Sequence, residues 1–433
     1  MLNFVQHRET LLNNMANNSV AIIPAAKLQV RNRDAEFAFR QDSDFFYLTG
    51  FVEDNACLVL FKNDECRESI LFCQPKIKEM EIWNGIRLGP DAAIKTLNVH
   101  KTFAIDELEK QLPELMSNMA NVYAAWGWSQ TWDQTLIAAI EKTKGKARTG
   151  VTAPSSMLAI GPLLHEQRLI KSAGEIAIMR EAAELSSAAH VKAMEIAKPG
   201  LFEYHLEGTI RHHCAMCGAR FDAYTSIVGG GENACILHYT DNNQVLKDGD
   251  LILIDAGCEV NHYASDITRT FPANGKFSDE QKALYQIVLN AQLAAIEKIK
   301  PGNTSNDPHE AALSVITQGL VDLGLLKGDV TELIKKEAYK PFYMHKTGHW
   351  LGMDVHDVGS YKQNGKWREL EAGMVLTVEP GIYVAIDEKT VDAKWRGIGI
   401  RIEDDVLVTE QGYDVLSKDV PKSIAHIEAL MAG

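Results

Sequence analysis

Five side chains in the C-terminal part of the chain carry the donor types of a metal site: Asp255, Asp266, His349, Glu379 and Glu403. The four acids follow one pattern that occurs twice. In the run from Asp248 to Gly257, Gly249 is followed six positions later by Asp255, which closes an apolar stretch, and Gly257 comes two positions after that. The run from Glu371 to Gly381 repeats this with Gly373, Glu379 and Gly381. Each unit then carries a second carboxylate in its next strand-like run: Asp266 in Ser265 to Phe271, and Glu403 in Ile400 to Val406. Taken singly, an Asp before Ala-Gly or a Glu before Pro-Gly is most often a solvated strand end. Matched spacing in two halves argues for the four as a set, where one motif alone is weak.

A hairpin turning near Val260 and Asn261 is expected to set Asp255 and Asp266 opposite each other on adjacent antiparallel strands, about 4.5 to 5.5 Å apart at Cβ. Carboxylates that close, facing two more from the other half, raise each other's pKa unless cations neutralise them. Two divalent ions meet that demand. Four carboxylates and one imidazole form a hard, oxygen-rich donor set, which favours manganese ahead of cobalt, iron or zinc. In two-metal hydrolytic sites the ions sit about 3.5 to 4 Å apart and clamp the attacking and leaving oxygens, with a shared hydroxide as nucleophile. Hydrolysis is therefore the expected reaction. Three histidines, His345, His349 and His356, cluster around Gly348 and Gly352, and at least one is expected to bind metal. The others, with His238, are candidates for hydrogen-bonding substrate or stabilising a tetrahedral intermediate.

The elements that must hold these groups are legible as periodic runs. Strands are expected at Ala56 to Phe61, Ser69 to Phe72 and Val122 to Trp126, alternating with helices at Asp106 to Leu112 and Trp132 to Lys142, a mixed α/β pattern. A long amphipathic helix, Glu175 to Ala197, ends at Pro199-Gly200, and a second, Asp279 to Lys300, ends at Pro301-Gly302. A boundary near Gln167 to Ser172 gives an N-terminal domain over residues 1–171 and a C-terminal domain over 172–433. The Gly229-Gly230-Gly231 run lacks the Gly-Lys-Ser/Thr of a phosphate cradle and reads as a turn feeding a strand that carries His238. His212-His213-Cys214-Ala215-Met216-Cys217 lacks a second ligand pair at finger spacing and falls in a helix expected from Leu206 to Cys217, so its thiols read as incidental.

Composition sets outer bounds. With 433 residues and 46% hydrophobic content the chain is long enough for two globular domains. A net charge of −14 disfavours nucleic acid as a partner. No apolar run approaches the roughly 18 to 20 residues needed to span a bilayer, so no membrane partner is expected. Arg8, Glu9 and several Asn interrupt the start where a signal peptide needs an apolar core, and seven cysteines, an odd count, fit a reduced compartment. The cytoplasm is the expected location.

These residues resemble the pita-bread metallopeptidases, and within them the aminopeptidase P family. The C-terminal signatures are Asp255-Ala256-Gly257, Ser265 to Thr270, the His345 to Gly359 stretch, Val378 to Gly381, and Gly397 to Asp404. Phe39 to Phe51 and Trp83 to Gly89 are more selective for aminopeptidase P itself. The resemblance implies a smaller N-terminal mixed α/β domain before an α/β (α+β) pita-bread domain with pseudo-twofold halves. It implies that Asp255 chelates one ion, Asp266 and Glu403 bridge both, and His349 with Glu379 hold the other, Glu379 also accepting a proton. His238 and His356 match residues that steady the substrate carbonyl and the intermediate. His345 and Arg401 match residues around a proline-side pocket, and Trp83 matches one that reaches in from a neighbouring subunit of a homotetramer.

The activity so implied is removal of the first residue from peptides with proline second. An Xaa-Pro bond is a tertiary amide with no N–H and a ring-fixed φ, which ordinary peptidases seat poorly. The nearest rival is an Xaa-Pro dipeptidase (prolidase) with the same five ligands. A non-catalytic pita-bread binding protein is the alternative from another class, and the intact ligand set argues against it.

Overall fold

A computed structural model describes residues 2–433. The chain divides into two compact units, Met1–Gln167 and Arg168–Gly433. This division falls slightly upstream of the expected 171/172 cut because Arg168 and Lys171 are buried in ion pairs to Asp354 and Asp357.

The N-terminal unit is built on a six-stranded mixed sheet: β1 (Ser19–Pro24), β2 (Cys57–Lys62), β3 (Arg67–Cys73), β4 (Lys101–Ala104), β5 (Asn121–Ala124) and β6 (Ser156–Ala159), in the order β4-β3-β2-β1-β5-β6. All of β1 is buried, as expected of a central strand with both faces covered. Helices α1 (Leu108–Leu115) and α2 (Gln130–Lys144) pack against each other beside this sheet, their Leu112 and Leu136 in its core. The expected end of α1 at Leu112 fell before Pro113, a residue without an N–H to donate. The helix instead runs on to Leu115.

The C-terminal unit expresses the sequence repeat as structure. Its first half opens with α3 (Ala173–Ile196) and α4 (Glu203–Met216), followed by strands β7 (Ile227–Gly230), β8 (Leu251–Asp255), β9 (Cys258–Val260), β10 (Tyr263–Ala264) and β11 (Thr268–Pro272). Its second half opens with α5 (Asp279–Ile296) and α6 (Asp307–Asp322), followed by β12 (Val375–Val378), β13 (Gly381–Val384), β14 (Ile398–Arg401), β15 (Asp404–Thr409) and β16 (Gly412–Val415). Matching capping boxes start the two long helices: Ser172 with Glu175 and Ser278 with Gln281. One hydrophobic core spans both halves; Ile252, Ile254, Val378 and Ile400 in it are fully buried. Each such side chain contributes about 1.5 to 3 kcal/mol.

Two local expectations are corrected. The hairpin does turn at Asn261 and His262, both in the left-handed region, but Asp255 pairs with Thr268 rather than with Asp266. The short β9–β10 hairpin splits off into its own sheet, so Asp266 sits in the link that precedes β11. Gly229 and Gly230 belong to β7, and His238 lies in a turn after a 3₁₀ segment, Gly231–Cys235, not in a strand. No described helix is long and apolar enough to cross a membrane.

Candidate metal centre

The two halves deliver their acids from equivalent places. Asp255 is the last residue of β8, and Glu379 directly follows β12. The glycines two positions on are required by close approach: a Cβ at Gly257 would overlap the Ser265 carbonyl oxygen, and one at Gly381 would collide with the Tyr383 hydroxyl. Asp266 precedes β11 and Glu403 precedes β15, and bonds between the halves fix both. The Asp266 N–H donates to Asp405 at 3.1 Å, and the Glu403 N–H donates to the Thr268 carbonyl at 3.1 Å. The Thr268 hydroxyl donates to Glu403 Oε2 at 2.5 Å.

Asp266, His349 and Glu403 each offer a ligand atom within 4.8 Å of the others. His349 Nε2 lies 3.3 Å from Asp266 Oδ2 and 3.7 Å from Glu379 Oε1. His349 Nδ1 lies 3.0 Å from the Trp350 carbonyl, which can only accept, so Nδ1 carries a hydrogen and Nε2, facing the acids, is the position for which a proton and a metal ion compete. On the other side of the cluster, Asp255 Oδ2 pairs with the Arg401 guanidinium at 2.6 Å. The Tyr224 hydroxyl lies 2.6 Å from Asp255 and 2.5 Å from Asp266. A phenol has one proton, so it donates to one of these carboxylates while the other faces an oxygen lone pair. That contact calls for a cation or a proton, and the five donors suit divalent ions.

The charge balance points the same way. Burial, with repulsion from Asp266, Glu379 and Asp255, pushes Glu403 well above the carboxylate range, and burial raises Glu379 to about 7. Burial also disfavours a charged His349, but its hydrogen bond to Asp266 and the charges of Glu379 and Asp266 prevail and raise it to about 9. Burial alone would raise Asp266, yet His349, Tyr224 and Arg401 together bring it below its ordinary value. The protein groups by themselves therefore hold protons where cations would otherwise sit.

The remaining histidines line the same cavity, about 460 Å³, all of whose walls come from the C-terminal unit. His345 Nδ1 donates to the Lys346 carbonyl at 2.8 Å, its Nε2 meets the Tyr383 hydroxyl at 2.9 Å, and burial holds it neutral, down to about 3. The His356 ring stands edge-on to His349 at 4.4 Å between centroids. Its chain neighbour Asp357 is clamped by Arg168 at 2.6 Å and Lys171 at 2.9 Å, which anchors the loop. His238 enters from its turn, and Arg401 also reaches the Tyr383 hydroxyl at 3.0 Å. Nine of the expected site residues thus surround one cavity. Trp83 is the exception: it stands 85% exposed on the helix Lys78–Asn84 of the N-terminal unit.

Tyr224, Tyr383 and Thr268 were not singled out from sequence. Tyr224 sits in an irregular stretch before β7 with no motif around it, and Tyr383 reads as one more apolar strand residue. Because Tyr224 touches two proposed ligands, Tyr224→Phe is expected to weaken metal affinity about 10- to 100-fold, the usual cost of losing a ligand's supporting partner. Metal titration followed by activity recovery checks this; unchanged affinity would leave the hydroxyl with no role at the centre.

Fold and site together define a metallopeptidase whose catalytic unit is built from two related halves and is preceded in the sequence by a separate N-terminal domain. Residues 177–410 match Metallopeptidase family M24, and residues 4–123 match the Aminopeptidase P, N-terminal domain. The chain is 48% identical to the Xaa-Pro aminopeptidase of Escherichia coli over 429 residues, 99% of this chain and 97% of the relative. An aminopeptidase structure from Pseudomonas aeruginosa superposes with a TM-score of 0.98 at 54% identity, covering 100% of this chain and 99% of that one. A zinc-substituted Escherichia coli aminopeptidase P in complex with product does so with 0.97 at 48%, covering 99% and 97%. The chain belongs to the aminopeptidase P family of M24 metallopeptidases.

Proposed function

We propose that this protein is a metal-dependent exopeptidase that removes the N-terminal residue from peptides with proline in second position. The observation that carries the reading is the convergence of Asp266, His349 and Glu403 within 4.8 Å, with Asp255 and Glu379 flanking them. In this reading Asp255, Asp266, His349, Glu379 and Glu403 would together hold two divalent ions. Two bound divalent ions supply the positive charge that polarises the scissile carbonyl and ionises a water. Manganese is the proposed metal, on the oxygen-rich donor set.

The chain's own groups do the rest. Glu379 lines the cavity among the proposed ligands, where its carboxylate is placed to accept a proton from the attacking water and to pass it to the leaving proline nitrogen. His238 and His356 face the cavity, where an N–H from either can stabilise the developing oxyanion. Arg401, Tyr383 and His345 form a hydrogen-bonded wall suited to the proline side. None of these contacts needs an amide N–H from the scissile bond, which an Xaa-Pro bond lacks.

Assembly, location and domain roles complete the reading. Ile82, Trp83 and Ile86 are 76%, 85% and 82% exposed, an apolar surface on the N-terminal unit that a neighbouring subunit of a homotetramer would cover. Seven free cysteines fit a reduced, cytoplasmic setting. The catalytic domain is assigned to 172–433 and the aminopeptidase P domain to 1–171.

The test is manganese-dependent release of the first residue from bradykinin-like Xaa-Pro-Pro peptides and from Xaa-Pro-Yaa tripeptides, against the matching Xaa-Pro dipeptide. Turnover of the longer peptides is expected. Cleavage of dipeptides alone would make the protein a prolidase instead.

A further inference from the structure

Beside the catalytic cavity lies a second one, about 500 Å³, between the start of α6, the hairpin strands Lys362–Gln363 and Lys366–Trp367, and the segment leading to Trp350. Its volume is that of a small-molecule pocket, about 300 to 1,000 Å³. It shares Lys346, Gly348 and His349 with the catalytic cavity, so the two are neighbours across one stretch of chain.

The lining has a definite chemistry. Pro308, Trp350 and Leu376 supply apolar wall, and Trp350 is fully buried with its ring stacked on Tyr361 at 5.2 Å. At the hairpin, Lys362 Nζ stands 4.2 Å and Lys346 Nζ 5.6 Å from the centre of the Trp367 ring. Both ammonium groups thus stand at one indole, and the lining described for this pocket contains no carboxylate. An anion in the pocket would be attracted by both charges. The Trp350 indole N–H is buried and has no acceptor among the described residues. Unsatisfied buried donors are rare and call for an explanation, such as a ligand oxygen. His309, hydrogen-bonded to Thr347 at 2.8 Å, is held neutral by burial and adds no charge of its own.

We propose that this pocket binds an apolar or aromatic group that carries a carboxylate, the apolar part against Trp350 and Leu376 and the carboxylate at Lys346 and Lys362. That chemistry is shared by the C-terminal residue of a short peptide whose first residue occupies the catalytic cavity and by a free apolar acid. The first source rests on the exopeptidase reading; the second does not.

The experiment uses the manganese-loaded full chain and two arms. In one, N-acetyl-L-phenylalanine, which has no free amine and no proline, is titrated by calorimetry into wild type, Lys362→Glu and Trp367→Ala. In the other, KM is compared for Ala-Pro peptides of increasing length that end in Phe as the free acid or as the amide. If the peptide terminus is the occupant, the free acid has a KM at least about tenfold lower than the amide at one preferred length, the scale of a charge-assisted contact, and Lys362→Glu removes the difference. If a free acid is the occupant, acid and amide behave alike, but N-acetyl-L-phenylalanine binds wild type and loses at least about tenfold in both variants. Turnover of Ala-Pro amide, too short to reach the pocket, reports that the variants are folded. No binding and no acid–amide difference in an active enzyme overturns the proposal, as does binding that both variants leave unchanged. Acid binding without any peptide hydrolysis would instead overturn the exopeptidase reading and leave the pocket standing.

Discussion

Asp266→Asn is expected to lower kcat by about 10³-fold or more while leaving the fold intact, a larger loss than removal of a single oxyanion-hole donor. Asn preserves the shape and one oxygen but removes one of the negative charges that would hold the ions. Asp266 is only 4% exposed, so its replacement has to be judged in a buried setting. Its charge is attracted by His349 at 3.3 Å and repelled by Asp255, Glu379 and Glu403. Those effects oppose each other, and the backbone bond from the Asp266 N–H to Asp405 is untouched by the substitution. The chelated variant should therefore melt within a few degrees of chelated wild type. What it should lose is the rise in Tm on adding manganese, which for a ligand at about 100 times its Kd corresponds to roughly 2.7 kcal/mol. Calorimetric melting with and without metal, beside kcat on an Xaa-Pro-Pro peptide, separates the two effects. Wild-type turnover by the variant would take Asp266 out of the centre.

The neighbours of Asp266 mark how far sequence could reach. The doubled Gly-x₅-acid-x-Gly pattern located the strand ends because strand period and glycine placement are local properties, and both survive in β8 and β12. The long helices were readable for the same reason, since Ser-x-x-Glu/Gln caps and Pro-Gly stops lie within a few residues of their ends. Register was not local. Asp255 faces Thr268 because the β9–β10 hairpin leaves the main sheet, and nothing in the intervening residues announces that departure. Roles within the run Glu403-Asp404-Asp405 were equally hidden. Glu403 faces the cavity, Asp404 is buried against Arg269 at 2.7 Å and Lys422, and Asp405 accepts from the Asp266 backbone. Three adjacent acids thus have three different surroundings, each set by a partner more than a hundred residues away. Tyr224 and Tyr383 were missed on the same ground: a tyrosine gains its role only from what its hydroxyl meets in the folded chain.

Metal loading should release protons and strengthen steeply with pH. His349 lies at about 9 and Glu379 at about 7 among the protein groups alone, and Glu403 is pushed well above its ordinary value. A divalent ion requires each of them deprotonated, so protons and metal compete for the same atoms. Below about pH 7 at least two protons must leave, and the apparent affinity should rise at least about a hundredfold per pH unit; between about 7 and 9 it should rise at least about tenfold per unit. These protons belong to the cluster as a whole, so the count per chain, not its division among residues, is the measurable quantity. Stability of the chelated protein follows the opposite course. The folded-state pKa values of His349 and Glu379 both exceed their ordinary values of 6.5 and 4.5, so each contributes stability at low pH. The Glu379 contribution is lost as pH rises through about 7 and that of His349 as it rises through about 9. The Tm of chelated protein should thus fall from about pH 5 to 9 while the gap between loaded and chelated protein widens. Proton release counted by pH-stat on adding manganese, together with melting curves across this range, provides the check. Fewer than one proton per chain, or a gap that narrows as pH rises, would show that these groups are not the ones that hold the metal.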